Sequence, residues 1–288
     1  MKDTTTIEVT IKTGDAREQL RSMDDASIQC CVTSPPYWGL RDYGHPGQLG
    51  AEATPEEFTA NLVEVFREVR RVLKDDGTLW LNLGDSYSRG DRKGVPPQRG
   101  AAASSREEEK YCFESASAMM GSHPVIKPKD LIGIPWRVAL ALQEDGWHLR
   151  QDIIWHKPAP MPESVTDRCT KAHEYVFLMS KSARYKYNAE PIQEIDEQGQ
   201  GRNRRSVWSV NTQSIPEAHF ATFPNKLAEL CILAGSDPGD EILDPFGGSG
   251  TTGAAALGLG RSSTLIELNP EYVELMRGRC NVTPGLGI

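Results

Sequence analysis

The chain has six cysteines but no C-x-x-C pair among them: Cys30, Cys31, Cys112, Cys169, Cys231 and Cys280 fall at irregular intervals. That spacing argues against a zinc ribbon and a disulfide framework and points to buried free thiols. Cys169, His156 and His173 can be grouped as metal ligands only against every standard zinc spacing. No apolar run reaches the roughly 18 residues that would span a membrane. The opening MKDTTTIEVT lacks the basic-then-apolar pattern of a secretion signal, so a cytoplasmic protein is expected. Basic charge is short as well. A net charge of -8 does not advertise a nucleic-acid binder, since phosphate affinity comes from clustered Lys and Arg. The shortage is uneven, however: residues 157 to 186 carry Lys157, Arg168, Lys171, Lys181, Arg184 and Lys186 against Glu163, Asp167 and Glu174, and GRNRR follows at 201 to 205.

What is present is ordinary globular composition over 288 residues, enough for one large α/β domain or two small ones. TIEVTIK alternates like a strand, GDAREQL opens a short helix, and SIQCCV reads as a buried strand. TPEEFTANLVEVFREVRRVLKDDG spaces Phe58, Leu62, Val65, Phe66, Val69, Val72 and Leu73 as a helix, with Thr54 as cap, Pro55 in the first turn and Gly77 as the end. TLWLNLGD predicts a strand, DLIGIPWRVALALQEDGW a helix, LRQDIIWHK a strand, and EYVFLMSKS with ARYKYN a strand pair. KLAELCILAGS and GTTGAAALGLG predict helices around the short strand EILD, and STLIEL a strand before a last helix from about Pro270. The polar stretch at about 86 to 127 reads as a long loop or partly disordered insertion, of the kind that serves as a lid or linker, and a second polar stretch runs from about 190 to 220. Strands alternating with helices imply a mainly parallel sheet with helices on both faces, whose ligands bind at the carboxyl ends of strands.

Two motifs sit at such ends. In TSPPYWG, Thr33 to Gly39, the Pro35-Pro36 pair fixes two φ angles, removes two donors and excludes the helical region for the residue before it. The segment suits a plain strand-ending turn or a site whose carbonyls and side chains must not move. In EILDPFGGSGTTGAAA, Gly247, Gly248 and Gly250 lead from a strand into a helix whose N-terminus can bind polar or anionic groups. No lysine follows Gly250, so this is not a Walker loop, and the G-x-G-x-x-G spacing is missing too. Some twenty residues on, STLIEL delivers Glu267 where dinucleotide-type folds hold ribose hydroxyls. A nucleoside cofactor is implied. The cofactor half of such a sheet needs one more strand and helix, which TIEVTIKTGDAREQL can supply if the chain is circularly permuted.

In this order the residues resemble a known family, the S-adenosylmethionine-dependent DNA amino-methyltransferases in their permuted β arrangement. Ser34, Pro35, Pro36 and Tyr37 match the catalytic motif, and DPFGGSGTT at 244 to 252 matches the cofactor motif. HFATFPNKLAELCILAGS is similar to the segment over the methionine end of the cofactor, and KPAPMPESVTDRCTKAHEYVFLMSKS to a stretch common in phage and prokaryotic members. The resemblance implies a Rossmann-like methyltransferase sheet in a single domain, 1 to 288, with variable target-recognition insertions near 86–127 and 190–220. It implies S-adenosyl-L-methionine as cofactor and double-stranded DNA as partner, and leaves open the oligomeric state and a cognate restriction endonuclease.

Residue by residue, the resemblance places Asp244, Pro245, Phe246, Gly247, Gly248, Gly250, Thr251 and Thr252 in the cofactor loop, with Asp244 near the methionine part. It places Glu267 on the ribose, Phe223, Pro224 and Asn225 over the methionine end, and Asp15 near the adenine. The exocyclic amine of cytosine or adenine is a poor nucleophile because its lone pair is delocalised into the ring. A fixed Ser34 oxygen and the Pro35 carbonyl can accept its N–H hydrogens, and Tyr37 offers a face on which a flipped base stacks. No Pro-Cys dipeptide occurs, which argues against cytosine C5 methylation. Serine as the first motif residue usually marks cytosine N4, whereas Asp or Asn usually marks adenine N6. Asp85, at another strand end, either borders the target pocket or serves as a helix cap or loop turn. Arg89, Arg92, Lys93, Arg202, Arg204 and Arg205 are the candidates for DNA contacts. The rival readings are an N6-adenine enzyme, an RNA or protein-amide methyltransferase, and a DNA-binding protein without catalysis.

Overall fold

The computed structural model describes residues 6–39, 47–88, 123–213 and 223–280. Its elements run β1 (Val9–Thr13), α1 (Ala16–Arg21), β2 (Ile28–Thr33), α2 (Pro55–Val72), β3 (Leu73–Leu83), α3 (Ile134–Glu144), β4 (His148–His156) and β5 (His173–Ser180). Then follow β6 (Glu194–Ile195), β7 (Gly201–Arg202), β8 (Val207–Ser209), α4 (Asn225–Gly235), β9 (Glu241–Asp244), α5 (Thr251–Gly258), β10 (Ser262–Glu267) and α6 (Pro270–Arg279). Eight strands form one sheet in the order β1-β10-β9-β2-β3-β5-β4-β8, and β6 pairs with β7 apart from it. Every neighbouring pair in the large sheet is parallel except β3 with β5 and β5 with β4. β1 lies beside β10, the pairing that the permuted motif order requires, so both ends of the chain build the same half of the sheet.

Alternating side chains commit the two faces to two cores. Cys31, Leu79, Leu81 and Leu83 pack on one face with α2 and α3, while Cys30, Val32 and Trp80 pack on the other with α4 and α5. α2 buries Phe58, Leu62, Val65, Phe66, Val69 and Val72, and the Thr54 hydroxyl accepts the Glu57 N–H at 3.1 Å as its cap. Cys30, Cys31, Cys231 and Cys280 are buried free thiols, whereas Cys169 is exposed. Among the described residues, no helix is long and apolar enough to cross a membrane.

Two local expectations are corrected. α2 ends at Val72 rather than Gly77, because Leu73 is already extended and starts β3 beside Ile28. The expected pairing of EYVFLMSKS with ARYKYN does not form. β5 instead lies between β3 and β4, and the Tyr185–Asn188 segment runs past the sheet, with Lys186 N–H on the Asp76 carbonyl at 2.9 Å and Tyr187 stacked on Trp80. In the polar 190–220 stretch, the described residues carry sheet structure. Trp208 is buried against Trp80, and burying it draws β8 onto the sheet edge beside β4. The 86–127 stretch leaves and returns at one place, since Ser88 N–H bonds the Asp130 carbonyl and Ile132 N–H bonds that of Ser86.

Candidate active site

β9 and β2 are neighbours, but the helix after β9 packs on one face and the helix after β2 on the other. Their carboxyl ends therefore open a crevice at the point where the winding reverses, the place where open α/β sheets bind ligands. DPFGGSG leaves the end of β9 and SPPY the end of β2, so the two motifs face one crevice.

A buried carboxylate joins them. The Thr33 hydroxyl donates to Asp244 at 2.6 Å, the Thr252 hydroxyl donates to the other carboxylate oxygen at 2.7 Å, and Phe246 N–H donates at 3.1 Å. Burial pushes the Asp244 pKa up, opposed by these three bonds, which favour the ionised form. Asp244 thus holds the residue before Ser34 against the first turn of α5. The cofactor loop turns on Gly250, whose φ of +79° suits glycine and whose missing side chain leaves room for Met276. Gly247 N–H bonds the Ile266 carbonyl at 2.8 Å, and Phe246 lays its ring edge-on to Phe66. Glu267, at the end of β10, accepts Gly248 N–H at 2.9 Å and Asn269 N–H at 2.8 Å, and burial pushes its pKa up. Pro245 and Thr251 are buried in the same loop.

At the other expected cofactor positions, Asp15 caps α1 through Arg17 N–H and Glu18 N–H and pairs with the Arg17 guanidinium at 3.0 Å. Phe223 packs against the second core, and Pro224 is the cap residue of α4. Asn225 accepts a 2.7 Å bond from Arg279, a residue no motif singled out. Arg279 also donates to Ser249 and Thr251 and has no carboxylate partner among the described residues, so a cation stands beside the glycine loop. It ends a helix without any recognisable pattern, RGR, and only the fold brings it here.

On the clamp side Pro35 is buried while Ser34, Pro36 and Tyr37 are half-buried. The Tyr37 hydroxyl donates to Glu174 at 2.6 Å, and its ring lies against Gly84, where any Cβ would come within 2.6 Å of it. Glu174 also accepts Asn82 at 3.2 Å and Lys157 at 2.5 Å. Asp85 resolves as a cap: its carboxylate accepts the N–H groups of Gly133 and Ile134 at the start of α3. Lys171 donates to the Asp85 carbonyl at 2.7 Å, and burial lowers its pKa. Of the candidate DNA contacts, Arg202 and Arg205 share Glu194 at 3.4 and 2.9 Å, and Arg204 bonds the Ile192 carbonyl over Trp208. Arg89, Arg92 and Lys93 lie outside the described residues.

A glycine loop, a strand-end carboxylate and a guanidinium with no carboxylate partner among the described residues line one side of the crevice. With a rigid pair of acceptors across the same crevice, the class is the Rossmann-like methyltransferases. The family is narrower. The DNA methylase family of N6/N4 amino-methyltransferases matches residues 28–277, and the chain belongs to it. It is 51% identical over 268 residues to the type II methyltransferase M.SmaI of Serratia marcescens, covering 92% of this chain and 88% of that one. To the type II methyltransferase M.Cfr9I of Citrobacter freundii it is 50% identical over 271 residues, covering 94% and 87%. TTHA0409 of Thermus thermophilus, solved with S-adenosyl-L-methionine, superposes with a TM-score of 0.62 at 28% identity, covering 97% of this chain and 98% of that one. The PvuII DNA methyltransferase, described as cytosine-N4-specific, shares the fold with a TM-score of 0.69 at 23% identity over 98% and 89%. The chain is an S-adenosylmethionine-dependent DNA amino-methyltransferase.

Proposed function

We propose that this enzyme methylates the exocyclic N4 amine of a cytosine flipped out of double-stranded DNA. The observation that supports it most is the placement of Ser34, the first residue of the clamp, one bond from the Thr33–Asp244–Thr252 bracket that ties the clamp to the cofactor loop. Bound S-adenosylmethionine supplies a methyl group on a positive sulfonium, a leaving group that needs no protonation. The chain's own part is to present the amine. Ser34 and the Pro35 carbonyl accept its two N–H hydrogens, pulling the lone pair out of conjugation with the ring, and Tyr37 stacks on the base that duplex stacking has given up. The Ser34 and Pro35 oxygens would keep their hydrogen bonds as the bond between sulfur and the methyl breaks and the N–C bond forms, and the one proton that the amine loses would pass to solvent. On the cofactor side Glu267 would hold the ribose, the Phe246–Thr252 loop the methionine backbone, and Phe223, Pro224 and Asn225, with Arg279, its carboxylate end.

The 86–127 segment and the β6–β8 region are proposed to read the target site, with Arg202, Arg204 and Arg205 contacting phosphates. With type II methyltransferases among the relatives, an endonuclease of the same site is the proposed partner. Nucleoside mass spectrometry of DNA from cells expressing the enzyme tests the base: N4-methylcytosine is expected. N6-methyladenine without it would make the enzyme an adenine methyltransferase instead.

A further inference from the structure

The two prolines fix the backbone before Tyr37, but they do nothing for its side-chain rotamer. Something else must hold that ring. Its hydroxyl donates to Glu174 at 2.6 Å, and its ring lies against Gly84, the one residue type there that leaves room for it. Glu174 reaches this position because β5 runs antiparallel between β3 and β4: Tyr175 faces Leu83, and Glu174 faces Trp155. The same carboxylate takes Asn82 Nδ2 at 3.2 Å and Lys157 Nζ at 2.5 Å, and Lys157 in turn lies 4.4 Å over the Trp155 ring. Carboxylate and ammonium are only 14% and 20% exposed. A pair so far removed from water gains little for stability over an apolar pair of the same shape. A charged acceptor does, however, make a stronger and more directional bond to a phenol than a neutral one.

Resting on the role proposed for Tyr37, we infer that Glu174 is a positioning residue of the target pocket: with Lys157 and Asn82 it locks the Tyr37 ring in the orientation in which a flipped base stacks. It touches neither cofactor nor base. Its influence on the base therefore passes through the tyrosine hydroxyl, and losing it misplaces the base without disturbing the cofactor loop.

A double-mutant cycle of Tyr37→Phe and Glu174→Ala, read on an oligonucleotide duplex carrying the target site, tests this. Each single change is expected to lower kcat about tenfold to a hundredfold, the range for a slight misplacement of a reacting group, with S-adenosylmethionine affinity by calorimetry unchanged. The double variant should be no slower than the slower single one. Glu174→Gln, which keeps an acceptor for the hydroxyl, should restore most of the rate. With 2-aminopurine at the target position, Glu174→Ala and Tyr37→Phe should both brighten the flipped base relative to wild type, because it no longer stacks. Tyr37→Phe leaves the ring and the core in place, so the cycle does not depend on how well Glu174→Ala folds: if that variant melts early, Tyr37→Phe against Glu174→Gln carries the comparison. Wild-type transfer with multiplied losses, or with Glu174→Ala at full rate, overturns the inference and leaves the proposed function standing. No transfer to DNA by the wild type overturns both.

Discussion

The cofactor loop and the proline clamp face each other across two adjacent strands, yet they are held by opposite means. The loop from Asp244 to Thr252 is fixed from within and directly below, by Gly247 N–H on Ile266, by Gly248 N–H on Glu267 and by the left-handed turn at Gly250. The clamp is stiff in its backbone only. Its tyrosine is fixed from 137 residues away, by Glu174 on a strand that reverses the direction of the sheet. The parallel α/β half thus holds its glycine loop with local bonds, whereas the clamp half depends on the antiparallel excursion of β5 and β4.

Among the described residues, Asp244 takes side-chain and backbone bonds from both segments, so its loss should have the largest effect. Asp244→Ala leaves the Thr33 hydroxyl and Phe246 N–H without their acceptor in the core, while the Thr252 hydroxyl keeps the Val32 carbonyl at 3.2 Å. A loss of about 2–6 kcal/mol is expected, summing roughly 1–3 kcal/mol for each of the two buried groups left unsatisfied, and denaturant unfolding measures it. Asp244→Asn keeps the shape and some of the acceptors and should lose less. If the alanine variant unfolds at the wild-type midpoint, the two loops are not joined through this residue.

Next in size is a change confined to the loop. Gly250→Ala forces a side chain into the left-handed region, about 1–2 kcal/mol of strain, and brings its Cβ to 3.0 Å from Met276. Calorimetry should show S-adenosylmethionine affinity about tenfold weaker, with kcat at saturating cofactor near wild type, which is the reverse of the pattern expected for Tyr37→Phe. If both variants fell in kcat alone, the division between a loop that binds and a clamp that orients would collapse.

That division also explains what was legible in the sequence. Strand and helix content came through because β2 and β3 are runs of apolar residues and α2 repeats its buried positions every three or four residues. SPPY and DPFGGSG came through because the rigidity of proline and the permissiveness of glycine are local properties, visible without knowing what lies opposite. Glu174, Lys157 and Arg279 carry no such local mark. They become site residues only through the order β3-β5-β4 and the packing of α6 on the glycine loop. Gly77 misled for a related reason: inside β3 it looks like any helix-ending glycine until the parallel partner β2 is in place. Trp208 likewise sits in a polar stretch, and only its burial against Trp80 turns that stretch into the sheet's edge.

A gentler probe of the loop is pH. Burial holds the Glu267 pKa above the ordinary carboxylate value, so on acidification it takes up a proton earlier than a free glutamate. Once protonated it has fewer lone pairs for ribose hydroxyls and for Gly248 N–H. Cofactor affinity should therefore be full at neutral pH and decline as pH falls through that raised pKa, and Glu267→Gln should flatten the profile. An affinity that holds steady down to the pKa of an unperturbed glutamate would count against the role of this carboxylate.

The smallest effect belongs to the far edge of the target half. Arg202 and Arg205 share one carboxylate, Glu194, and both are exposed, so each already has part of its charge answered. If they touch DNA phosphates, replacing either by alanine should weaken binding alike on cognate and unrelated duplexes. The slope of log affinity against log salt should shrink by less than the roughly one unit expected for a free phosphate contact. Glu194→Gln, which frees both guanidinium groups, should shift binding the other way and steepen the slope. Filter binding or fluorescence anisotropy across a salt series measures all three variants. Slopes identical to wild type throughout would remove these arginines from the DNA face and leave Glu194 a local brace between β6 and β7.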